Sequence, residues 1–467
     1  MTRKKLQFPH TCALLFFIIV FAAILTWIIP AGEYDTEQVG NLNKVIAGTY
    51  HQVERNPQNL WDVMMAVVGG FEKAAVMMTM VCFVGAGVYI LQSSGTIEVF
   101  FGKLASTSTN KIYAIVFGVM AFMSVGGAAG VFANATVALI PIGIILSTSL
   151  GLDKASGMLM VYLGAYSGFN VGWANPSTLG VAHPIAELPT FSGFKVRVIL
   201  HIINFILSYG FVMMYINSIK KDHTKSLNYE TGLSANDFMG LHEEEGLKDY
   251  KILPRHVLSL IATIFAISMI LFGSVKFSWK NPQIAATFLV LSIVLGIINK
   301  YGVNKTTDLF LEGCRSMVTA AFIIGFANGI SIILKDGNIL NTIVHFLSMP
   351  MTKFASVAGA AFMFLANLII NLFIPSGSGQ AAAVMPLMVP MADLIGVTRQ
   401  VAVQAFQFGD GFSNCLFPTA GTLMGSLAIA SVEWNRYAKK FIPFLIVQCI
   451  LAIIALVILQ SIGWTGV

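Results

Sequence analysis

Long apolar runs separated by short polar segments are the dominant pattern of this chain. A helix needs about 20 apolar residues to cross the hydrocarbon core of a bilayer. Nine stretches are long enough, and they lie at residues 12–30, 74–94, 156–182, 196–218, 257–275, 283–299, 317–334, 400–429 and 441–463. The pattern therefore predicts an all-α polytopic membrane protein.

Charged residues are scarce, which indicates a protein embedded in lipid and argues against a soluble domain. Of the 467 residues, 56% are hydrophobic and 11% are charged, whereas a soluble domain carries roughly 25% charged residues. Lipid must therefore surround much of the chain. The net charge of +6 is small and lies in loops, so it indicates membrane topology and not a nucleic-acid partner.

Catalytic and metal-binding motifs do not occur in the sequence. The five cysteines are scattered without CxxC or Cys/His spacing, so we expect free thiols. There is no HExxH motif, GxSxG motif or paired-carboxylate helix, which argues against an enzyme. We expect no cofactor, apart from a coupling Na⁺ or H⁺.

Lysine and arginine positions predict the orientation in the membrane. Basic residues concentrate in the segments 95–112, 220–256 and 431–440. Because cytoplasmic loops are enriched in Lys and Arg, these segments are placed inside, which puts the N-terminus inside and the C-terminus outside. The first apolar run ends without a small-x-small cleavage site, so we expect it to remain as a span.

A weak internal repeat divides the chain. A shift of 245 positions aligns Pro141 with Pro386, Gly151 with Gly396, and Lys154 with Arg399. The two units have opposite predicted orientations, which is the arrangement of an inverted-topology repeat. Identity between the halves is low, so chance matching is the alternative.

The repeat predicts five segments along the chain. They are a first span and external loop (1–60), repeat 1 (61–219), a cytoplasmic linker (220–256), two linking spans (257–300) and repeat 2 (301–467). The linker carries lysines and the acidic run Glu243–Glu245, which is typical of a solvated connection between two halves.

Two apolar blocks, 111–149 and 354–394, are predicted to be re-entrant hairpins. Small and polar residues fill their centres, at Ser124–Thr136 and Pro375–Gln380, between helices of about 15 residues each. Irregular backbone at membrane depth is tolerated where it faces protein or a water-filled cavity. The alternative is a packing contact between helices made by small residues.

Each hairpin is followed by a span that its own sequence interrupts. Pro176 lies within the span 156–182, and Pro418 lies within the span 400–429. Proline removes a backbone donor and clashes with the preceding turn, so the freed groups need substrate, cation or water as partners. The alternative is a kink satisfied by Ser, Thr and Asn side chains.

Asp410 is the most informative single residue, because a carboxylate in the middle of a span is costly and usually functional. It would coordinate Na⁺, carry a proton or pair with a substrate ammonium group. The structural alternatives are a partner for a buried basic residue and a helix-cap acceptor.

Three motifs carry a family resemblance that covers essentially the whole chain. They are Phe8–Tyr34, Ile374–Gln380, and Phe408–Asn414 with Pro418-Thr419. Together they resemble the C4-dicarboxylate anaerobic carrier family, and in particular a branch of it assigned to basic amino acids. The resemblance implies the ion transporter superfamily fold, in which dimers combine a scaffold domain with a mobile transport domain of the elevator type.

In that fold the hairpin tips and adjacent breaks hold substrate and ions. The resemblance maps this site onto Asn134, Ala135, Thr136, Asn175, Ser177 and Thr178 in the first half, and Ser376, Ser378, Gln380, Asp410, Ser413, Asn414 and Thr419 in the second. Asn170, Gly377 and Gly379 belong to the same breaks and tips. A sodium site is expected at Asn134, Asn175, Asp410 and Asn414.

The expected function is secondary active transport of a small polar metabolite, with antiport of basic amino acids as the first candidate. The alternatives are a C4-dicarboxylate carrier and, in another class, a channel. Neither the tips nor the breaks contain Arg or Lys. We expect a homodimer in the inner membrane of a prokaryote, with lipid and a small-molecule substrate as partners.

Overall fold

The computed structural model describes residues 11–39, 42–46, 48–96, 109–130, 132, 136–189, 191–229, 252–277, 279–349 and 355–466. The first half contains the helices Thr11–Ile28 (α1), Leu60–Ser93 (α2), Thr109–Ala128 (α3), Thr136–Ser149 (α4), Lys154–Phe169 (α5), Leu179–Ile185 (α6) and Phe194–Lys221 (α7). The second half contains Pro254–Phe277 (α8), Asn281–Ile298 (α9), Gly302–Ser316 (α10), Val318–Asp336 (α11), Leu340–Ser348 (α12), Ser356–Ile370 (α13), Gly377–Ile395 (α14), Arg399–Asn414 (α15), Gly421–Ile429 (α16) and Trp434–Ser461 (α17).

All nine predicted spans coincide with helices or pairs of helices. Within the described part of the chain, five helices are long and apolar enough to cross a membrane, or six if the bent pair α10–α11 forms one span. The chain is therefore a multi-pass membrane protein. One boundary differs from the prediction: α2 begins at Leu60 and not near residue 74, because Asn59 and Asp62 form a capping box.

The predicted external loop contains short β-structure. The strands Gly32–Glu33 (β1) and His51–Gln52 (β4) pair antiparallel, as do Thr36–Val39 (β2) and Leu42–Val45 (β3). The Tyr50 ring stacks on His345 with the ring centroids 3.9 Å apart, and the Tyr34 hydroxyl bonds to His345 Nδ1 at 2.7 Å. These contacts hold the segment against α12.

The two predicted hairpins each consist of a pair of helices, but their arms are unequal. Helices α4 and α13 have 14 and 15 residues, whereas α3 and α14 have 20 and 19 residues. The expected 15 residues per arm is therefore too short for two of the four. Ser376 caps α14, and its hydroxyl accepts from the amide of Gly379 at 3.4 Å.

Helices α5 and α15 occupy the centre of the fold, and every residue of each is buried except the first. Both helices have 16 residues. The first residues of the two helices are 245 positions apart, and so are their last residues, as are Asn170 and Cys415 directly after them. The preceding glycines, Gly151 and Gly396, adopt left-handed φ values of 70° and 75°. The two helices and the glycines before them therefore share one offset of 245 positions.

The packing around these two helices is matched as well. Helix α5 packs against α3, α4 and α7, and α15 packs against the corresponding α13, α14 and α17. The second arm of each hairpin contacts the other half, since α4 packs against α16 and α14 packs against α6. Helix α2 packs mainly against α9, α10 and α11.

Both predicted breaks are present, and their ends meet. Helix α5 stops at Phe169 and the chain resumes helix at Leu179, whereas α15 stops at Asn414 and α16 starts at Gly421. The Tyr162 hydroxyl donates to the carbonyl of Asn414 at 2.9 Å. Gln407 Nε2 donates to the carbonyl of Phe169 at 2.7 Å.

These two hydrogen bonds are equivalent under the repeat shift. Positions 162 and 407 correspond, and so do positions 169 and 414. Each half therefore supplies the donor for the last carbonyl of the other half's interrupted helix, a group that has no partner within its own helix.

Candidate functional site

A polar cavity of about 540 Å³ lies beside the two breaks. Its wall includes the start of α14, both broken segments, and residues of α2, α9 and α11. Seven of the predicted site residues line it: Ser177, Thr178, Ser376, Gly377, Ser378, Asn414 and Thr419. The structure therefore brings the second hairpin tip together with both breaks.

The other predicted residues lie behind this wall or outside the described part of the chain. Asn134 and Ala135 are outside it. The Thr136 hydroxyl bonds to the carbonyl of Phe132 in the first hairpin. Asn170 Nδ2 lies 3.8 Å from Cys415 Sγ, where the ends of α5 and α15 meet.

On the second hairpin, Gly379 and Gln380 continue the first turn of α14 and do not line the cavity. Gln380 Nε2 donates to the carbonyl and to Oδ1 of Asn367, both at 3.0 Å. Ser413 Oγ donates to the carbonyl of Gly409 at 2.5 Å. These residues hold the tip and α15 in place.

Asp410 is wholly buried and only partly satisfied. Its Oδ1 accepts from Asn414 Nδ2 at 3.4 Å, whereas Oδ2 has no hydrogen-bond partner among the described residues. Among the described residues no basic side chain pairs with the carboxylate, and Asp410 caps no described helix. A buried carboxylate oxygen in this condition needs a proton, a cation or a ligand.

Gly377 at the hairpin tip lies directly against this carboxylate. A Cβ atom at position 377 would lie 3.1 Å from Asp410 Oδ2 and 2.5 Å from Thr178 Cγ2. The hydroxyls of Thr178 and Thr419 are also buried without partners among the described residues. The tip and the two breaks therefore include one carboxylate oxygen and two hydroxyl oxygens without partners among the described residues, and oxygen is the ligand that hard cations prefer.

The predicted sodium set is only partly assembled. Asp410 and Asn414 are adjacent, one helical turn apart. Asn175 instead packs near Gly130, and its Oδ1 accepts from the amide of Ser177 at 2.9 Å. Among the described residues no three His, Cys, Asp or Glu side chains cluster as a metal site.

Asn371 is a site residue that the sequence argument missed. Its Nδ2 donates to the carbonyl of Asp410 at 3.1 Å, to Ser413 Oγ at 2.6 Å and to Asn414 Oδ1 at 3.0 Å. It thereby joins the first arm of the second hairpin to α15. The spacing of Asn367 and Asn371, one turn apart in an apolar arm, was the available signal.

The cavity wall also contains residues from outside the two tips and breaks. Tyr166 bonds to Thr422 through the two hydroxyls at 2.9 Å, and Asn328 contributes from α11. Lys280 enters from the turn between α8 and α9 and is exposed. Among the described lining residues it is the one with a charged side chain, which gives the cavity mouth a positive potential.

A polar cavity beside two interrupted helices, in a chain with several apolar spans, is typical of a multi-pass membrane transporter. The comparison with known families then identifies which kind. A family model described as "DcuC: C4-dicarboxylate anaerobic carrier" matches residues 8–461. The chain belongs to the C4-dicarboxylate anaerobic carrier family.

Two relatives match over nearly their whole length. YfcC of Escherichia coli K12, whose name describes it as a candidate basic amino acid antiporter, is 28% identical over 501 residues, with 99% of this chain and 98% of YfcC covered. An uncharacterised protein of Haemophilus influenzae is 26% identical over 500 residues, with 97% and 96% covered.

Two solved structures are similar at lower levels. MtrF of Neisseria gonorrhoeae, described within a class of antimetabolite efflux pumps, has 19% identity and a TM-score of 0.41, with 98% of this chain and 96% of MtrF covered. The YdaH transporter of Alcanivorax borkumensis has 15% identity and a TM-score of 0.40, with 98% and 100% covered.

The close contact of Gly377 with Thr178 and Asp410 can be tested with a matched pair of glycine-to-alanine variants. Gly377→Ala places a methyl group against Thr178 and Asp410, so the tip cannot seat and we expect a loss of exchange of about tenfold, or about 1.4 kcal/mol. Gly421→Ala, also on the cavity wall, meets nothing nearer than 3.7 Å and should retain exchange. The measurement is the exchange rate of labelled arginine or labelled succinate in proteoliposomes, with the compound that the wild-type protein exchanges. Equal exchange rates in the two variants would contradict the contact of Gly377 with Thr178 and Asp410.

Proposed function

We propose that this protein is a secondary active transporter that moves a small polar metabolite by alternating access, with coupling to a cation or a second substrate. The observation that carries this proposal is the Asp410 carboxylate, buried with one oxygen unpartnered against the tip of the second hairpin. An ionisable group in this position is typically part of a substrate or ion pathway. We place the protein in the inner membrane of a prokaryote, with the N-terminus inside.

The matched halves support an inverted-repeat mechanism. Helices α5 and α15 have the same length and equivalent contacts, and the Lys and Arg distribution gives the two halves opposite orientations. Repeats of this kind provide two related conformations about one central site. An elevator movement of the hairpins and broken helices against α2, α9 and α11, in a dimer, is the form of this mechanism that we favour.

Basic amino acids are the first candidate substrates, and antiport is the first candidate mode. The similarity to YfcC supports this choice. Asp410 supplies a carboxylate for an ammonium group, although the backbone of Gly377 lies between it and the cavity. The hydroxyl and amide groups of Thr419 and Asn414 suit the α-carboxylate and α-amino groups.

C4-dicarboxylates are the second candidate, and a different observation favours them. The family description names this substrate class, and Lys280 at the cavity mouth attracts anions. No described side chain that lines the cavity is acidic. In this case Asp410 serves the coupling cation alone, and a bound Na⁺ shares the substrate carboxylates with hydroxyl groups.

The role of Asp410 is tested by Asp410→Asn, which removes the charge and keeps the shape. We expect transport to fall by about 100-fold or more, or about 2.7 kcal/mol. The unfolding temperature should stay equal or rise, because the variant relieves an unpaired buried charge.

The control is Asp308→Asn, the same chemical change at an exposed position on α10, which should leave transport unchanged. Transport by Asp410→Asn at the wild-type rate would remove Asp410 from the mechanism.

The substrate class is tested by competition in proteoliposomes. Vesicles loaded with unlabelled arginine or succinate take up the labelled compound while arginine, ornithine, succinate or fumarate competes outside, with and without Na⁺ and pH gradients. We expect saturable arginine exchange that basic amino acids inhibit and dicarboxylates do not. Inhibition by dicarboxylates alone would select the second candidate, and flux that rises linearly with concentration would indicate a channel.

A further inference from the structure

Arg197, in the first turn of α7, is a buried cation with no acidic partner among the described residues. The side chain is 0% exposed. Its Nη1 donates to the carbonyl of Gly172 at 3.5 Å, and its Cζ lies 5.7 Å from the centre of the Trp464 ring. Its Nε and Nη2 have no partner among the described residues. A charge buried in this way costs several kcal/mol unless something neutralises it.

A polar face of α15 lies against the two glycines that Arg197 bonds. Gln400, Gln404 and Gln407 are spaced four and three residues apart, which places them on one side of the helix. Gln400 lies over Gly193, and Gln407 lies over Gly172. Arg197 bonds the carbonyl of Gly193 through its backbone amide and the carbonyl of Gly172 through its guanidinium group. Because Gln404 lies between Gln400 and Gln407 on this face, we infer that it is at the level of Arg197.

The polar groups without partners around Arg197 are mainly hydrogen-bond donors. Gln404 is wholly buried, and neither its Nε2 nor its Oε1 has a partner among the described residues. His183 lies within electrostatic range of Arg197. The Phe191 amide donates to His183 Nδ1 at 3.1 Å, so the proton of the neutral ring is on Nε2, which is also unpartnered.

A comparison of the two halves shows which of these polar groups the fold itself does not require. Helices α7 and α17 both have 28 residues and are offset by 240 positions at both ends. Tyr437 therefore corresponds to Arg197, and its hydroxyl donates to the carbonyl of Cys415 in the other break at 2.7 Å. Leu159 corresponds to Gln404. The neutral hydroxyl of Tyr437 is thus sufficient to bond a carbonyl of the interrupted segment. The buried charge of Arg197 and the unpartnered amide of Gln404 have no equivalent at the corresponding positions of the other half.

We propose that Arg197 and Gln404, with His183, bind a small monovalent inorganic anion, with chloride as its cellular form. The guanidinium and amide groups supply N–H donors, and the anion balances the buried charge. Buried water would satisfy donors but would leave the charge unbalanced. This site is separate from the cavity at Asp410, and its existence does not depend on which substrate is transported.

The first test is thermal unfolding of the full-length protein in detergent, in sodium chloride against sodium gluconate at constant ionic strength. We expect the unfolding temperature to rise with the logarithm of the chloride concentration above its dissociation constant. Bromide should act in the same way. A wild-type protein that responds equally to chloride and gluconate would overturn the proposal.

The matched variant, Arg197→Tyr with Gln404→Leu, carries at both positions the residue types found at the corresponding positions of the other half, Tyr437 and Leu159. It should fold and lose the chloride-dependent shift, whereas Arg315→Tyr, at an exposed arginine of α10, should keep it. A full chloride response in the double variant would also overturn the proposal.

A direct measurement avoids dependence on any variant. Crystals of the wild-type protein grown in bromide should show an anomalous peak within hydrogen-bond distance of Arg197 and Gln404. Well-defined side chains with no peak between them, or with water only, would refute the site.

Discussion

The reciprocal hydrogen bonds between the ends of α5 and α15 are the constraint on which the rest of the structure depends. Each helix stops inside the protein, where its last carbonyls have lost their helical partners, and an unsatisfied buried carbonyl costs about 1–3 kcal/mol. Tyr162 and Gln407 meet this need across the repeat, each for the other half's helix. The breaks are therefore stable only together, and the cavity lies where they meet.

A shared backbone plan carries different side chains in the two halves. The unpaired carboxylate is at Asp410, whereas the corresponding position in the first half is Ala165. The unpaired guanidinium is at Arg197, where the second half has Tyr437. The fold thus supplies two similar breaks with different buried charges, and we propose cation or ammonium chemistry beside the second hairpin and anion binding at the first turn of α7.

The features that local sequence determines were predictable, and those that depend on distant packing were not. Glycine and proline punctuation placed α5, α15 and both breaks, because backbone restrictions act locally. The start of α2 at Leu60 was missed because Glu72-Lys73 interrupts the apolar pattern, although Asn59 signalled a cap. Asn371 and Lys280 reach the site only through tertiary packing. Lys280 lies in a polar turn that carries no sign of the cavity, and the one local signal for Asn371 is its spacing of one turn from Asn367 in an apolar arm.

We propose that substrate occupies the cavity between the two breaks and the second hairpin tip. The most direct test is the alkylation rate of a single cysteine at Ser378, on the cavity wall, in a background whose five native cysteines are replaced and which still exchanges substrate. The account predicts that the transported compound slows alkylation in a saturable manner, whereas a compound that is not transported has no effect. An alkylation rate unchanged at saturating transported substrate would contradict it.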